Sequence, residues 1–318
     1  MQRNSDMKGS DSDISDIALM EKLSDSALIA SISKAQKSDL LERSDRQGLI
    51  HLAGHVAALV LGAGWILSSA PFWPLVLLPY SLALISLFMP LHETIHGTAF
   101  RTAWLNRVVA FVCGLIVVIP PVWFRYFHFE HHRFTNEPER DPELAYAKPG
   151  TMKAYFIYLT GLSIWLSLFR GLIHNALGRG ADNFVPETRR NTVRNEARVY
   201  CLIYGGLIVI AAMGAGEAIF WLWVLPILIG QPFLRAYLLA EHMLCPQVPE
   251  MLANSRTVTS NRLVLFFTWN MPCHAEHHLL PGVPFYRLPD LHKLTKPHLR
   301  TLDTGYGDVH RQIRNSFK

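Results

Sequence analysis

Four long apolar segments, arranged in two close pairs, constrain the fold of this 318-residue chain more than any other feature. Segments 50–70 and 74–90 meet at the sequence Ala-Pro-Phe-Trp-Pro, and segments 199–214 and 218–239 meet at Gly-Ala-Gly-Glu. A helix that crosses a membrane needs about 20 mostly apolar residues, and a short connection makes two helices antiparallel neighbours. We therefore predict an all-α, polytopic membrane protein with four transmembrane helices in two hairpins.

The composition agrees with a membrane protein. Charged residues make up only 17% of the chain, whereas an average soluble domain has about 25%. The basic residues behind the net charge of +5 lie in a few segments, so we expect cytoplasmic loops and no nucleic-acid partner. The four cysteines are far apart and form no Cys-x-x-Cys motif. This spacing favours reduced thiols over a disulfide framework or a zinc site.

The two ends of the chain differ from its centre. Residues 1–48 form an N-terminal tail whose Ser/Asp-rich start lacks the apolar core of a secretory signal and is predicted to be disordered. Within this tail, apolar residues recur at helical spacing over 17–41, which predicts an amphipathic helix on the membrane or on the protein. We assign 49–300 to one membrane domain and 301–318 to a polar C-terminal tail.

The distribution of Lys and Arg predicts the orientation. Basic residues precede the first span, recur throughout 101–140 and 170–198, and are absent from both hairpin turns. Since short cytoplasmic loops carry the excess of Lys and Arg, we expect both termini in the cytoplasm. Segments 107–121 and 152–169 are apolar but short or borderline, and both of their ends then face the cytoplasm. They are therefore expected to be interfacial or re-entrant.

Eight histidines form three clusters, which we call boxes, with spacings of one, three and four residues. These spacings bring imidazoles to one face of a helix, so each box can offer two or three of them to one point. All three boxes follow the cytoplasmic ends of spans in this topology and can converge as a histidine-rich cap. The boxes are His92-Glu-Thr-Ile-His96, His128-Phe-Glu-His131-His132 and His274-Ala-Glu-His277-His278.

Converging imidazoles indicate a metal site. Imidazole binds iron, copper, nickel and zinc, and one zinc ion takes about four ligands. Eight imidazoles are too many for one tetrahedral ion and suit two ions of higher coordination number. Iron adds a redox couple that can activate O2. We therefore expect two non-haem iron ions.

The boxes and the hairpins between them resemble the membrane fatty acid desaturase superfamily, which includes acyl desaturases, carotenoid ketolases and hydroxylases, and alkane hydroxylases. The resemblance covers about residues 50–300. It implies a non-haem di-iron centre held by the eight box histidines and a lipid or fatty acyl substrate. It also implies one further ligand before the third box, for which His242 is the candidate and Asn270 a weaker one. The third box departs from the family in beginning with His where Gln is common.

The resemblance also predicts the reaction and its partners. We expect O2-dependent oxidation of a lipid chain, with fatty acyl desaturation preferred. Hydroxylation or ketolation of a lipid, carotenoid or hydrocarbon by the same centre is the alternative, because desaturases and hydroxylases of the family share these box spacings. The sequence has no His-Pro-Gly-Gly motif and no ferredoxin-type cysteines, so we expect a separate electron donor of ferredoxin, rubredoxin or cytochrome b5 type. The expected location is a bacterial inner membrane, with the active site cytoplasmic.

Polar residues near the boxes are candidates for orienting the ligands. A metal-bound histidine usually donates its other N–H to a carboxylate or carbonyl. Six residues near the boxes are placed for contacts of this kind. The candidates are Glu93, Glu130, Asp141, Glu241, Asn270 and Glu276. The remaining histidines match no box, so we expect packing for His51 and His55, and hydration or hydrogen bonding for His174, His292, His298 and His310.

Two other classes of protein are consistent with parts of the pattern. Residues 92–96 are a literal His-Glu-x-x-His motif, in which Glu93 would be the general base of a zinc protease. That interpretation needs an acidic ligand from a Pro/Asp/Gly motif, which we do not find, and leaves six box histidines unexplained. A transporter or heavy-metal binding protein would more often place its ligands within the spans, which contain almost no charged or imidazole groups.

Overall fold

Helices form most of the protein, whose computed structural model describes residues 23–145, 147–180 and 182–317. The helices before the second box are α1 (Asp25–Ser31), α2 (Lys34–Leu40), α3 (Asp45–Leu67), α4 (Trp73–Ile85), α5 (Phe88–His96) and α6 (Ala103–Val117). The next are α7 (Pro121–Phe134), α8 (Met152–Leu159), α9 (Leu162–Ala176), α10 (Glu187–Ile210), α11 (Gly216–Ile219) and α12 (Leu225–His242). The last are α13 (Met251–Asn254), α14 (Arg262–Phe267), α15 (His274–Leu279), α16 (Leu288–Thr295) and α17 (Tyr306–Asn315).

Shorter elements complete the fold. Strands β1 (Thr257–Val258) and β2 (Leu302–Asp303) pair in parallel. Two π-helical turns, Ala211–Ala215 and Phe220–Val224, flank α11. The 3-10 turns are Pro142–Ala145, Phe285–Arg287 and Lys296–His298.

Three helical stretches among the described residues are long and apolar enough to cross a membrane: Lys34–Leu67, Trp73–His96 and Glu187–His242. The number rises to five if two bent helix pairs are each counted as one span. Leu61 and Leu202 are about three quarters exposed on the outer faces of α3 and α10. Such apolar surfaces are costly in water and favourable against lipid. The protein is therefore a helical membrane protein.

The stretch Glu187–His242 reverses its direction at Gly214, where φ is 120°. The rings of Tyr204 and Trp223 stack with their centroids 5.9 Å apart. Nineteen residues of straight α-helix would separate these side chains by about 28 Å. The second apolar pair is therefore a hairpin, which turns at a residue whose backbone conformation favours glycine.

The two bent pairs include the segments 107–121 and 152–169, for which the sequence predicts interfacial or re-entrant helices, and the first pair extends beyond its segment through α7. Helices α6 and α7 meet at 94°, after Val118 adopts a left-handed conformation and prolines follow at 120 and 121. Helices α8 and α9 meet at 48° next to Gly161, which has φ of 66°. Glu196 on α10 accepts hydrogen bonds from the first amides of α7. This long-range cap holds the start of the helix that carries the second box.

The predicted N-terminal amphipathic helix is two short helices, α1 and α2, each begun by a serine cap. Leu28 is buried and packs against Leu252 and Ala275, so α1 lies on the protein beside the third box. The Ser/Asp-rich start, for which we predict disorder, lies outside the described residues.

Residues 301–317 belong to the fold, although the sequence suggests a polar tail. Strand β2 pairs with β1 in the register Thr257↔Leu302. Val309 and Ile313 are fully buried on α17. The sequence suggested a polar tail because few residues of α17 are apolar. These few residues lie on one face of an amphipathic helix and pack against the protein.

Candidate metal centre

The first box lies on α5, where His92 and His96 project from one face. Residues four apart are neighbours on a helix, and the centroids of these two rings are 5.3 Å apart. The helix ends at Gly97, which adopts φ of 73° and donates its amide to the carbonyl of Thr94. Both imidazoles therefore point to the same side of α5.

The second box, on α7, divides its histidines between two places. His128 and His132 approach each other, with 2.9 Å between their Nε2 atoms. His131 Nε2 instead lies 3.2 Å from His242 Nε2, at the end of α12. An α-helix turns by about 100° per residue, so an imidazole one position before His132 faces another direction.

The third box, on α15, divides in the same way. The Nε2 atoms of His274 and His278 are 3.0 Å apart, and His274 Nε2 also lies 3.0 Å from His242 Nε2. His277 Nε2 lies 3.1 Å from His132 Nε2 on α7. The expectation that each box serves a single point is therefore wrong for the second and third boxes.

The nine histidines form two adjoining groups. Within each group, one nitrogen of every imidazole lies within 4.8 Å of the others. The rings of His132 and His278, one from each group, stack with 4.1 Å between centroids. The five-histidine group contains His92, His96, His128, His132 and His277, and the four-histidine group contains His131, His242, His274 and His278.

Two acidic residues from the predicted set face imidazoles of the four-histidine group. Asp141 Oδ1 lies 2.9 Å from His131 Nδ1 and also accepts the backbone amide of Glu143. Glu241 Oε1 lies 3.3 Å from His274 Nδ1. In each case the carboxylate is on the side of the ring that faces away from the group.

The other two imidazoles of the four-histidine group meet partners that the sequence analysis missed. His278 Nδ1 lies 3.0 Å from the hydroxyl of Thr135, which donates to the carbonyl of His131. His242 Nδ1 lies 3.2 Å from the carbonyl of Asn254. Thr135 follows the second box closely and could have been found there. A backbone carbonyl has no sequence signal, because every residue has one.

The five-histidine group lacks this outer set of partners. Among the described residues, the Nδ1 atoms of His92, His132 and His277 and the Nε2 atom of His96 are buried without a hydrogen bond. Burial lowers the pKa of His277 well below its ordinary value, and neighbouring imidazoles lower it further. The neutral form that results is the form that binds a metal ion.

Two of the predicted carboxylates have other partners. Glu93 accepts hydrogen bonds from the Thr98 hydroxyl, at 2.6 Å, and from the Phe285 amide, at 3.0 Å. It therefore fastens the segment after the third box to α5. Glu276 accepts from His292, at 2.5 Å, and from the hydroxyls of residues 257 and 295.

Asn270 and Glu130 also lie apart from the two groups. The Asn270 amide donates to the carbonyl of Phe285, and its own backbone is left-handed, with φ of 55°. Glu130 is half-buried and has no hydrogen bond to a box histidine among the described residues. The position of a further imidazole is filled by His242, which belongs to the four-histidine group.

Three of the histidines outside the boxes are held in packing and hydrogen-bond contacts. His55 is fully buried, pairs with the carbonyl of Ala83 and accepts from the Trp269 indole. His51 Nε2 lies 2.7 Å from the carbonyl of Phe266. His310 bridges Tyr155 and the carbonyl of residue 236. These contacts agree with the packing and hydrogen-bonding roles expected for them.

A cavity of about 120 Å³ opens between α5, α7, α9 and α12 beside both histidine groups. Much of its wall is apolar and aromatic, with Phe88, Trp123 and Leu168 among the lining side chains. His92, His128, His242 and His274 also line it, together with a smaller polar region that contains Glu143 and Lys148. An apolar molecule that entered this cavity would contact imidazoles of both groups.

The donor atoms fit two metal ions. Five imidazoles exceed the four ligands of a tetrahedral zinc site, and nitrogen donors suit iron. The Nε2 atoms of paired imidazoles lie about 3 Å apart, a spacing at which two neutral nitrogen donors can bind one cation. The outward contacts of His131, His242, His274 and His278 are those that orient metal-bound histidines.

The helical membrane fold and the paired histidine groups define a class of membrane protein with a histidine-rich site that could hold metal ions. Residues 67–310 match the model of the fatty acid desaturase family. The chain belongs to this family, whose members use iron, and it is an oxidoreductase.

Curated relatives agree with this assignment. The chain is 26% identical over 227 residues to a sphingolipid delta(4)-desaturase of Drosophila melanogaster, a match that covers 68% of this chain and 64% of that protein. It is 27% identical over 255 residues to an sn-1 oleoyl-lipid 12-desaturase of a Picosynechococcus strain, covering 73% and 72%. A human sphingolipid delta(4)-desaturase/C4-monooxygenase is 26% identical over 223 residues, covering 66% and 61%. The chain thus spans about two thirds of the length of the sphingolipid relatives.

Proposed function

We propose that this protein oxidises a lipid chain with O2 at two non-haem irons, and that the main reaction is desaturation of a fatty acyl chain. The observation that carries the proposal is the division of nine histidines into two adjoining groups beside one apolar cavity. The five-histidine group would hold one iron and the four-histidine group the other. When bound, the irons supply the redox couple that activates O2.

The protein's own residues contribute orientation and shielding. Asp141 accepts the outer N–H of His131, and the Glu241 carboxylate lies 3.3 Å from His274 Nδ1. Both contacts favour ring orientations that direct the opposite nitrogens inward. The aromatic wall of the cavity, including Phe88 and Phe124, excludes water and holds the chain against the histidines. The position in which this wall holds the reacting carbon atom decides whether a double bond or a hydroxyl results.

The zinc-protease interpretation is not favoured. Glu93, which would be the general base, is fully buried and bonded to Thr98 and Phe285. Hydroxylation is the second candidate, because one relative carries both desaturase and monooxygenase in its name.

We propose the topology expected from the sequence, with four transmembrane helices in two hairpins. The reversal at Gly214 turns the long stretch Glu187–His242 into two spans, which adds to the spans formed by α3 and by α4 with α5. The basic loops favour a cytoplasmic location for both termini and the histidine cap. A bacterial inner membrane and a separate electron donor of ferredoxin, rubredoxin or cytochrome b5 type complete the proposal.

The test combines metal analysis with isotope labelling. Purified protein should contain about two irons per chain, whereas one zinc would favour the protease. Reaction under ¹⁸O₂ with reductant and an electron-transfer protein should give a lipid lighter by two hydrogens and free of label. A labelled hydroxyl as the main product would overturn desaturation and retain the di-iron assignment.

A further inference from the structure

A second cavity, of about 100 Å³, lies between the C-terminal end of α9 and the first turns of α10. Among the described residues, it shares no lining residue with the cavity beside the histidine groups. Much of its wall is polar and includes two arginines. The lining residues with polar side chains are Asn175, Asp182, Arg190, Asn191 and Arg194. The proposed lipid oxidation uses none of these side chains, so the cavity requires a separate explanation.

The turn after α9 forms one side of this cavity. Gly178 donates its amide to the carbonyl of Asn175, at 2.9 Å, and has φ of 75°. A β-carbon at Gly178 would lie 3.3 Å from Cδ and 3.4 Å from Nη1 of Arg194. The guanidinium of Arg194 is therefore held beside the turn and lines the cavity from the α10 side.

Positive charge predominates around the cavity. Residues 178–198 contain five arginines and three carboxylates. Two of the carboxylates accept hydrogen bonds from other parts of the protein, Asp182 from the Trp123 indole, at 2.8 Å, and Glu196 from the first amides of α7. Within the part of the chain that the structure describes, the ion pairs of arginine lie elsewhere. Arg190 and Arg194 thus have no carboxylate partner there.

Arg194 has a buried donor that no described residue satisfies. Its Nε atom is shielded from solvent and has no hydrogen bond within the described ranges. Buried donors without a partner are uncommon in native proteins, and a water molecule or an ion is a frequent partner. A guanidinium carries five N–H groups in a planar arrangement that matches the paired oxygens of a phosphate. A phosphate in the cavity would accept a hydrogen bond from this donor.

The cavity lies close to the apolar part of α10. Arg194 precedes Val199, where the apolar segment begins, by five residues, or about 7.5 Å of helix. The headgroup layer of a bilayer extends about 5–8 Å beyond each side of the hydrocarbon core. Leu177 is exposed on the turn and Leu202 on the apolar part of α10. A lipid phosphate at Arg194 would therefore have apolar protein surface beside it for its acyl chains.

We infer that Arg190 and Arg194 bind a phosphate group in this cavity, and that the phosphate belongs to the headgroup of an anionic phospholipid. The side-chain amides of Asn175 and Asn191 donate further hydrogen bonds to its oxygens. Basic pockets between membrane-spanning helices bind headgroups of this kind. The lipid is a bound component distinct from the substrate, and it links α9 to α10 beside the Glu196 cap of α7.

Lipid binding to the full chain, purified in neutral detergent and freed of lipid, tests the inference without turnover. The probes are dioleoyl phosphatidylglycerol, dioleoyl phosphatidylcholine and inorganic phosphate, and native mass spectrometry counts the lipid molecules retained per chain. Phosphatidylglycerol should bind at least about tenfold more tightly than phosphatidylcholine, because the choline cation offsets the charge that the two arginines recognise. Equal binding of the two lipids would overturn the inference. Displacement of phosphatidylglycerol by inorganic phosphate at equal concentration would overturn the lipid as the source of the phosphate.

Two variants and one control locate the binding. Arg190→Gln and Arg194→Gln each remove one charge from the cavity, and each should lower the preference for phosphatidylglycerol by about fivefold. Arg190 is exposed, so its replacement leaves the packing of the helices intact. Arg107→Gln removes the same charge from an exposed position on α6, outside the cavity, and should retain the preference. Equal losses in all three variants would indicate general attraction to a basic surface and overturn the cavity as the site.

Thermal unfolding gives a second measurement. Phosphatidylglycerol should raise the Tm of the unchanged chain, since a ligand that binds the folded state alone stabilises it. The rise should be lost when Arg190→Gln and Arg194→Gln are combined, and kept in Arg107→Gln. A rise of the same size in the combined variant would contradict the assignment of the two arginines.

Discussion

His131 and Asp141 lie 2.9 Å apart, with the carboxylate on the ring nitrogen that faces away from the four-histidine group. Asp141 also accepts the backbone amides of Asn136 and Glu143, so its position is fixed by the turn after the second box. The contact sets the tautomer of His131 that leaves Nε2 free for a metal ion.

Asp141→Asn should therefore weaken metal binding at the four-histidine group about 10- to 100-fold. Among the described residues, Asp141 has no hydrogen bond to a histidine of the five-histidine group. The iron content should therefore fall from about two toward about one per chain. Elemental analysis of the purified variant measures this. Asp290→Asn, at a half-exposed carboxylate paired with Lys293, is the control. Unchanged iron content in Asp141→Asn would contradict the role of this contact.

His242→Ala tests the ligand that lies outside the three boxes. His242 Nε2 is 3.2 Å from His131 Nε2 and 3.0 Å from His274 Nε2, so its loss should open the four-histidine group. We expect reduced iron content and loss of turnover, because a metal ion held by fewer ligands is lost more readily. His174→Ala on α9 should change neither quantity. Full iron loading and activity in His242→Ala would remove it from the ligand set.

Gly230→Ala tests the crossing of α12 and α4. A β-carbon at Gly230 would lie 2.7 Å from both the carbonyl of Ser81 and the β-carbon of Ile85. Backbone cannot move aside as a flexible side chain can, so we expect destabilisation by about 1–3 kcal/mol. Thermal unfolding in detergent should show a lower Tm for this variant.

Gly205→Ala is the matched control for that measurement. Gly205 lies on α10 in the same long stretch, and nothing lies within 4 Å of a β-carbon added there. Alanine is favoured over glycine in a helix by about 0.5–1 kcal/mol, so its Tm should stay the same or rise slightly. Equal losses in both variants would show that the close approach at Gly230 is not the cause.

The topology can be measured with reporters fused after Glu143, Gly180 and Lys318. We expect all three to report the cytoplasm, because Lys and Arg are concentrated in the segments that precede and follow the bent pairs. A signal from the opposite side at Gly180 would mean that α8 and α9 together cross the membrane. The third box would then be separated from the first two.

The sequence by itself determined the membrane class, the two apolar hairpins and the eight box histidines. These features depend on local composition and on spacing along one helix, which are independent of where other helices lie. The family assignment confirms the resemblance read from the boxes. The spacing also indicates that the second and third boxes divide, because adjacent helical residues such as His131 and His132 point about 100° apart.

Only the tertiary structure decided how the histidines are shared. His277 on α15 joins the five-histidine group because α7 brings His132 to it, and its neighbour His278 meets Thr135 instead. Glu93 and Glu276 lie within boxes, yet they bind Phe285 and His292 from a segment far along the chain. Direction and distance between helices fix these partners. Sequence spacing along one helix gives neither the direction nor the distance to another helix. A carboxylate can also accept a hydrogen bond from any donor that the fold places beside it, so its own residue type does not identify the partner.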